Sequence, residues 1–536
     1  MTENSGTAIS RRRLLTMIGL SAGGSVMYQA MHSLGLAAET NFQGPIRLSA
    51  APKGASVLVL GAGIAGLVAA YELRNAGYKV QVLEYNARAG GRNWTLRGGD
   101  RYTELGGETQ ECQFDPGLYI NPGPWRLPYH HRGMLSYCKR LGVALEPFVQ
   151  VNHNAYLHGR KAFGGKPQRL RTVKADYDGH IAELLAKATR GHALDAEVSA
   201  EDQEILLSAL RSSGALDQNY RFVKGPDSNE RRGFDRDPGG GLSARPKYSE
   251  PVGLSDLLRS GLWGALSIGE LYDMQTTMFQ PVGGMGQVGQ AFARELSAQI
   301  RYNAKVIDIH QDERGVSATY EDTRSAGSGR QTAKADWCVC TIPLSILGQI
   351  PMNVGGPMAK AIAAVPYCTG LKVGLQFKRR FWEEDEQIYG GITYTDLPIG
   401  QISYPSSRFF ADGKGVLLGA YIWDMLDSME FTSMTPAQRV SKAVEYGSQI
   451  HPQYAKEFDN GIAVAWHRVP HAMGCFALWS DENRAAHYDN LCAFDGRIVL
   501  AGEHASYMPA WQEGAVTSAL DAIDRLHQRA GAGGAA

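Results

Sequence analysis

The sequence predicts an α/β fold that begins with a parallel sheet flanked by helices. Three observations lead to this prediction. Ser56–Leu60 is a short, continuously apolar segment, a glycine-rich turn follows it, and Leu67–Asn75 has the pattern of a helix. Lys79–Glu84 is the predicted second strand, which completes a strand–helix–strand unit. With 536 residues, of which 44% are hydrophobic, the chain is long enough for two or three domains.

The turn between the first strand and the helix has the pattern G-x-G-x-x-G. Gly61 permits the tight turn, Gly63 lets the backbone approach a diphosphate, and Gly66 lets the helix pack closely on the strand. The N-terminus of the helix offers free amide hydrogens to phosphate groups. Glu84 ends the second strand, where a carboxylate accepts from both ribose hydroxyls and repels a 2′-phosphate. The motif therefore predicts a dinucleotide site that disfavours NADP, while NAD and FAD both remain open.

The segment that follows the second strand carries a family resemblance. Residues 84–92 read E-Y-N-A-R-A-G-G-R, which resembles the E-x(3)-R-x-G-G-R signature of the flavin amine oxidase superfamily. The resemblance implies FAD as the cofactor, with Arg88, Gly91 and Arg92 at its diphosphate. Residues 103–107, T-E-L-G-G, resemble the next flavin-contacting segment of that superfamily, which assigns Gly107 to the cofactor site.

The C-terminal part resembles the flavin motif that completes the site in this superfamily. A predicted strand over residues 496–503 ends in Gly502 and Glu503, and the segment W-Q-E-G-A over residues 511–515 precedes a helix. The resemblance implies that these two residues, with Gln512 and Ala515, contact the flavin, and that Val306 contacts the adenine. The N-terminus of that helix would stabilise negative charge on the reduced flavin.

A carboxylate-binding arginine is the main clue to the substrate. Residues 121–128, N-P-G-P-W-R-L-P, resemble the G-P-M-R-(I/V/L)-P segment of L-amino-acid oxidases, in which the arginine binds the substrate carboxylate. Arg126 is therefore the predicted clamp, because a guanidinium fixes both the position and the angle of a carboxylate. Two departures are present: Trp125 replaces the methionine of that pattern, and residues 108–115 are additional.

Three further residues are assigned to catalysis by the same resemblance. Lys372, in G-L-K-V-G-L-Q-F, corresponds to the lysine that assists the reaction with oxygen near flavin N5. Tyr404 and Trp511 stand where the superfamily tends to place aromatic walls around the substrate amine. Members with covalent flavin carry a cysteine near the Tyr404 region, which this chain lacks, so noncovalent FAD is expected. His130 and His131 are interpreted as residues at a helix start, although either could line the pocket.

We therefore predict oxidative deamination of L-amino acids to 2-oxo acids, ammonia and hydrogen peroxide, with O2 as the acceptor. Two alternatives stay open. One is an amine oxidase or dehydrogenase that acts on amines without a carboxylate, and the other is an L-amino acid monooxygenase. A flavoprotein that serves only as a binding module is a third, non-enzymatic possibility. No Ser/His/Asp cluster appears, no metal site is expected, and none of the seven cysteines forms a CxxC pair.

The domain organisation follows from the order of these motifs. Residues 53–110, 281–345 and 490–530 are assigned to a discontinuous Rossmann-type FAD-binding domain. Residues 111–160 and 346–489 are assigned to a mixed-sheet substrate domain, and residues 161–280 to a helical lobe whose residues 225–247 are interpreted as a mobile loop.

The termini and the overall charge set expectations for location and partners. Residues 1–38 contain Arg11–Arg13 before a weakly apolar stretch, which resembles a Tat export signal, so we expect a periplasmic or secreted protein without stable membrane insertion. The charge is balanced, with 54 basic and 54 acidic residues, and gives no reason to expect nucleic acid as a partner. Dimers are common in the superfamily, so we expect a homodimer.

Overall fold

A five-stranded parallel sheet forms the centre of the fold. The structure, a computed structural model, describes residues 40–242, 244–324 and 329–533; the predicted export signal lies outside them. The predicted FAD-binding segments contribute every strand of this sheet, and all neighbouring strands run parallel. This arrangement confirms the predicted α/β fold with a Rossmann-type sheet. In spatial order the strands are Ile300–Arg301, Lys79–Leu83, Ser56–Leu60, Trp337–Cys340 and Ile498–Leu500.

Both faces of the parallel sheet are covered, as its continuous apolar strands predict. Val57 and Val59 point to one face and pack against the first helix, Ile64–Asn75, and the C-terminal helix, Gln512–Gly533. Leu58 packs on the other face, against an antiparallel sheet of three strands. Those three strands are Ala304–Asp312, Gly315–Asp322 and Gln331–Ala335.

The predicted role of Gly66 in close packing has a direct structural basis. A Cβ atom at this position would lie 2.0 Å from the carbonyl oxygen of Gly61, which is far inside van der Waals contact. Gly61 itself has φ of +100°, in the region that favours glycine. The first helix therefore starts directly on the end of the first strand, and its N-terminus faces the same edge of the sheet as the other strand ends.

A seven-stranded mixed sheet forms the second domain, as predicted. One helix that covers it is Pro436–Gly447, which begins with a capping box at Thr435. Every residue of its strand Leu371–Phe377 is buried, because the strand lies between two antiparallel neighbours. In spatial order the strands are Phe458–Ala465, Leu371–Phe377, Gly415–Ile422, Gln401–Ser403, Ile392–Thr395, Tyr156–His158 and Gln168–Arg169.

The helical lobe differs from the prediction at residues 225–247. The interpretation of this segment as a loop is wrong for residues 226–236, which form a helix, Pro226–Arg232, and the strand Phe234–Arg236, which pairs with Lys247–Tyr248. Arg232 is buried and binds Asp176 through two hydrogen bonds of 2.7 and 3.0 Å. The charged composition that indicated a loop thus includes a buried ion pair, which joins the segment to the helix Leu170–Arg190. The helices of the lobe are Leu170–Arg190, Ala200–Ser213, Pro226–Arg232 and Leu254–Ser260.

The remaining elements connect these layers. Among the described residues, no helix is long and apolar enough to cross a membrane, and each cysteine is a free thiol. The other helices are Arg132–Arg140, Gly286–Glu295, Leu344–Leu347, Gly356–Ala364, Phe381–Glu384, Met425–Thr432, Tyr454–Glu457 and Asp481–Cys492. The other strands are Leu96–Arg97, Arg101–Thr103, Thr109–Glu111, Tyr119–Ile120, Leu145–Val149 and Thr277–Pro281.

Candidate active site

A cavity of about 690 Å³ lies at the C-terminal edge of the parallel sheet and reaches the mixed sheet. This is the edge at which open α/β sheets bind ligands. Most of the residues predicted to bind the cofactor lie in its wall. They are Gly61, Gly63, Glu84, Gly91, Arg92, Val306, Gly502, Glu503, Gln512 and Ala515, and Trp511 lies in the wall with them.

The glycine-rich turn leaves room for a ligand at one end of the cavity. Gly63 lines the cavity, and a Cβ atom built on it would meet nothing within 4 Å. Glu84 is buried, and its carboxylate accepts hydrogen bonds from the amides of Ala62 at 2.6 Å and Asn86 at 2.9 Å. The acidic group is thus held at the end of the second strand, at the position that ribose recognition requires.

Two half-buried arginines, Arg88 and Arg92, provide positive charge beside this turn, and Arg92 lines the cavity. Arg88 packs over the ring of Trp94 at 4.4 Å, and its Nη2 is buried without a hydrogen-bond partner among the described residues. Burial lowers the pKa of Arg88 to about 10, so the guanidinium stays charged at neutral pH. Arg92 donates to the carbonyl oxygen of Cys475 at 2.8 Å and to Glu503 at 2.7 Å. The buried Nη2 of Arg88 is thus an unused donor, which fits an anionic ligand such as a diphosphate.

His471 is a cavity residue that the sequence analysis missed. Its ring stacks on that of Tyr85 with centroids 5.5 Å apart, and both residues line the cavity. Burial and the nearby charges of Arg88 and Arg92 lower the pKa of His471 to about 3, so its imidazole is neutral at physiological pH. No motif surrounds this histidine, and only the folded chain brings it beside the two arginines.

The other end of the cavity is formed by the start of the C-terminal helix and by the mixed sheet. Trp511 precedes the helix, and Gln512 at its first position accepts a hydrogen bond from the side chain of Asn93. Gln512 and Ala515 face the cavity, so the positive end of the helix dipole points into it. The opposite wall is aromatic and consists of Tyr421, Trp423, Trp466 and Phe476.

Arg126 lies behind this aromatic end and is only 5% exposed. Its guanidinium carbon is 5.0 Å from the ring centroid of Trp125 and 6.0 Å from that of Trp511, which lines the cavity. Gly123 and Pro124, from the same segment, line the cavity. The structure therefore places the predicted clamp in the protein interior, next to the cavity wall and away from bulk solvent.

Lys372 occupies the same region from the mixed sheet. Its Nζ donates to the carbonyl oxygens of Gly123 and Asn121, and it lies 4.7 Å from the ring centroid of Trp125 and 4.2 Å from that of Tyr421. Burial first, and the charge of Arg126 in addition, hold the pKa of Lys372 well below its ordinary value of 10.5. The side chains of Arg126 and Lys372, which are distant in sequence, thus both pack on the indole ring of Trp125.

Tyr404 is not part of this aromatic wall, so the prediction for it is wrong. Its ring is buried in the core of the mixed-sheet domain, and its hydroxyl bonds to Thr393 at 2.8 Å and to His451 at 2.6 Å. Tyr421 lines the cavity instead, and it lies opposite Lys372 in the antiparallel pairing of their strands. That pairing joins strands distant in sequence, which the local pattern around Tyr404 does not reveal.

The prediction for Gly107 is also wrong. It lies in the exposed turn between the strands Arg101–Thr103 and Thr109–Glu111, and Leu105 alone of residues 103–107 lines the cavity. Glu104 instead forms a buried ion pair with Arg439, with contacts of 2.8 and 3.1 Å. The additional residues 108–115 supply the second strand of this hairpin, Thr109–Glu111.

The two histidines after the clamp are both buried. His131 precedes the helix Arg132–Arg140, as expected for a residue at a helix start. Its ring meets that of Trp511 edge-on at 4.9 Å and that of His130 at 4.7 Å. Burial lowers the pKa of His131 well below 6.5, so a neutral imidazole supports the cavity wall from behind.

Comparison with known proteins agrees with this geometry. Residues 64–527 match the family described as flavin containing amine oxidoreductase. The chain belongs to this family. A flavin cofactor follows from the membership, and the open Gly63 and the half-buried Arg88 and Arg92 fit the diphosphate of FAD.

Several proteins named as L-amino-acid oxidases are similar to this amine oxidoreductase over most of its length. The one from Siganus canaliculatus is 28% identical over 490 residues, which cover 88% of this chain and 85% of that protein. The one from Vipera ammodytes ammodytes is 28% identical and covers 87% and 91%. YobN of Bacillus subtilis (strain 168) is 27% identical over 88% and 95%. This group of relatives supports the predicted place of the chain in the L-amino-acid oxidase branch.

Solved structures of other amine oxidases share the fold. Putrescine oxidase bound to putrescine has a TM-score of 0.57 at 17% identity, and covers 88% of this chain and 99% of that one. Cyclohexylamine oxidase from Brevibacterium oxydans IH-35A has a TM-score of 0.58 at 18% identity, with coverage of 89% and 99%. At such low identity these likenesses describe the fold of the amine oxidoreductase.

Proposed function

We propose that this amine oxidoreductase is an FAD-dependent oxidase of L-amino acids, which yields 2-oxo acids, ammonia and hydrogen peroxide. The observation that carries the proposal is the burial of Arg126 beside Trp511, at the aromatic end of the cavity. A guanidinium at this place can bind a carboxylate through two parallel hydrogen bonds. An L-amino acid carries a carboxylate, whereas a simple amine or diamine does not.

Arg126 acts in this proposal by fixing both oxygens of the substrate carboxylate. A planar guanidinium forms two parallel hydrogen bonds with a carboxylate, which sets the angle as well as the position of the substrate. Trp125 and Trp511 flank the guanidinium and limit its rotation. Such restriction reduces the entropy lost when the substrate is aligned.

The cofactor is held by the residues at the opposite end of the cavity. Glu84 is positioned to accept from the ribose hydroxyls, and Arg88 and Arg92 to bind the diphosphate. When bound, FAD supplies the acceptor of the hydride that leaves the substrate Cα. The start of the C-terminal helix, at Gln512, offers positive potential where negative charge would build up.

The aromatic residues and Lys372 complete the proposed chemistry. Tyr421, Trp423 and Trp511 restrict the substrate between flat walls and exclude water, which favours the neutral amine needed for hydride release. Lys372 supplies a proton or positive charge near the point where O2 is reduced. Lys372 donates to the carbonyl oxygens of Asn121 and Gly123, which belong to the segment that carries Arg126. These hydrogen bonds fix the positions of Lys372 and Arg126 relative to each other.

We also propose noncovalent FAD. Cys475 is the cysteine that lines the cavity, and burial raises the pKa of its thiol to about 12. A thiol that stays protonated at neutral pH is a poor nucleophile toward a cofactor.

We also propose export through the signal in residues 1–38 and a homodimeric state. The export proposal is tested by fractionation of cells that express a variant with Arg12→Lys and Arg13→Lys. The homodimeric state is tested by light scattering of the purified protein.

A panel of substrates tests the proposed function. The holoenzyme is mixed without oxygen with L-amino acids, their decarboxylated amines and putrescine, and flavin absorbance is followed. The proposal predicts bleaching by amino acids and, in air, one hydrogen peroxide for each 2-oxo acid. Bleaching by the amines instead would make the protein an amine oxidase, whereas an amide product would make it a monooxygenase. No bleaching by any member would refute an enzymatic role on this panel.

Substitution of Arg126 separates the clamp from general effects on the fold. Arg126→Met should abolish most bleaching by amino acids while the flavin stays bound. Arg132→Met is the matched control, because Arg132 lies six residues further on, is exposed, and donates to the backbone of Phe42. Equal loss of activity in the two variants would contradict the proposed role of Arg126.

A further inference from the structure

A second, smaller cleft reaches Trp125 from the protein surface on the side of the mixed sheet. Its volume is about 90 Å³. Gly117 and Arg408 at its rim are exposed, while Ile120 and Leu418 further in are buried. We call it the Trp125 cleft, after the lining residue whose ring also contacts Lys372. Trp125 stands where the related L-amino-acid oxidase pattern has methionine.

The walls of the Trp125 cleft offer little to a polar ligand. Leu118, Ile120, Phe148, Val416 and Leu418 contribute apolar surface. Three polar side chains of the wall have partners within the protein. Arg380 binds Glu383, Gln280 donates to Glu146 at 2.8 Å, and the hydroxyl of Ser406 accepts from the amide of Val149 at 2.9 Å. The cleft therefore suits a small neutral molecule.

One indole ring separates the Trp125 cleft from the reaction site. The ring of Trp125 is 4.7 Å from Lys372 Nζ and 5.3 Å from the ring of Tyr421, which lines the main cavity. Asn121, which lines the cleft, accepts a hydrogen bond from Lys372 through its carbonyl oxygen. A molecule that passes the edge of Trp125 thus arrives at Lys372.

We propose that the Trp125 cleft is the route by which dioxygen reaches the reaction site. This inference rests on the proposed function, in which O2 is the acceptor. The main cavity would then hold the cofactor and an amino acid, so that a third reactant needs a separate path. The cleft has a volume of about 90 Å³, which is enough for a molecule of the size of O2. Each O2 takes up two electrons and two protons and leaves as hydrogen peroxide.

Narrowing and widening the cleft at one position tests the route. Val416 lines the cleft on the strand Gly415–Ile422 and lies away from the main cavity. Val416→Phe fills part of the cleft, and Val416→Ala is the matched variant that widens it. The holoenzyme is reduced with light in the absence of any substrate and then mixed with O2. This design measures reoxidation even if amino acids do not reduce the enzyme.

The expected result is a slower reaction with O2 in Val416→Phe alone. The second-order rate constant should fall about tenfold, because interiors are close-packed and an added ring leaves no passage. It should stay unchanged or rise in Val416→Ala. Reoxidation by a dye that accepts electrons from the main cavity, and the rate of reduction by amino acids, should match those of the wild type. An unchanged rate with O2 in a folded, flavin-loaded Val416→Phe enzyme would overturn the proposal.

Xenon gives a second test that needs no substitution. Xenon occupies dry apolar cavities, as dioxygen would, and is located in crystals by its scattering. Crystals of the holoenzyme under xenon pressure should show a peak in the cleft between Trp125 and Val416. A xenon peak elsewhere and none in the cleft would overturn the route. If the reduced wild-type enzyme does not react with O2, the proposed route for O2 is refuted. If amino acids fail to reduce the enzyme, only the proposed substrate is refuted.

Discussion

Replacement of Arg126 by lysine should raise KM for L-amino acids while the enzyme keeps its fold and its flavin. A lysine retains the positive charge but offers no planar pair of donors, so one of the two parallel hydrogen bonds to the carboxylate is lost. The position is only 5% exposed, so water cannot replace the missing donor. A hydrogen bond to a charged group contributes about 1.5–3 kcal/mol. At ~1.4 kcal/mol for each factor of ten, kcat/KM should fall roughly 10- to 100-fold.

Steady-state peroxide production over a range of substrate concentration measures this loss. The flavin content of each preparation is taken from its absorbance, so that only loaded enzyme is counted. Arg132→Lys serves as the control for a similar change in an exposed arginine of the same segment. If Arg126→Lys leaves KM and kcat/KM at the wild-type values, the bidentate clamp is not how this enzyme holds its substrate.

Three other predictions concern the fold, the cofactor and Lys372. Gly66→Ala should lower the stability of the folded protein by about 1–3 kcal/mol or more, because its Cβ would lie 2.0 Å from the oxygen of Gly61; an unchanged Tm would contradict this. Acid precipitation should release all flavin into the supernatant, and flavin retained on a peptide that contains Cys475 would refute noncovalent binding. The lowered pKa of Lys372 means that the unfolded chain binds more protons than the folded chain at alkaline pH below 10.5. Stability should therefore rise with pH in that window in the wild type relative to Lys372→Met, and parallel Tm profiles would contradict the direction of the shift.

Most of the residues that local motifs assign to the cofactor lie together in the wall of one cavity. The turn at Gly61–Gly66, the carboxylate of Glu84 and the arginines 88 and 92 lie within about thirty residues of one another. Their geometry is set by one strand–helix–strand unit, whose shape depends on short-range contacts. The fold class followed for the same reason, since alternating strands and helices admit few arrangements.

The substrate end was less predictable because it depends on contacts between distant strands. Tyr421 lies beside Lys372 because their two strands pair. Tyr404 is also a tyrosine, but its hydroxyl bonds to Thr393 in the core of the mixed-sheet domain. His471 similarly joins Arg88 and Arg92 from far along the chain. The hairpin around Gly107 shows a further difficulty, because a motif-like glycine lies in an exposed turn outside the cavity wall. Residue type and local spacing do not determine such placements.

The structure of the enzyme with an L-amino acid bound under anaerobic conditions would show whether Arg126 holds the substrate carboxylate. We predict that both carboxylate oxygens lie within hydrogen-bond distance of the Arg126 guanidinium, with the amine between the aromatic walls that include Tyr421 and Trp511. A carboxylate bound elsewhere in the cavity, with Arg126 still packed between Trp125 and Trp511, would contradict it.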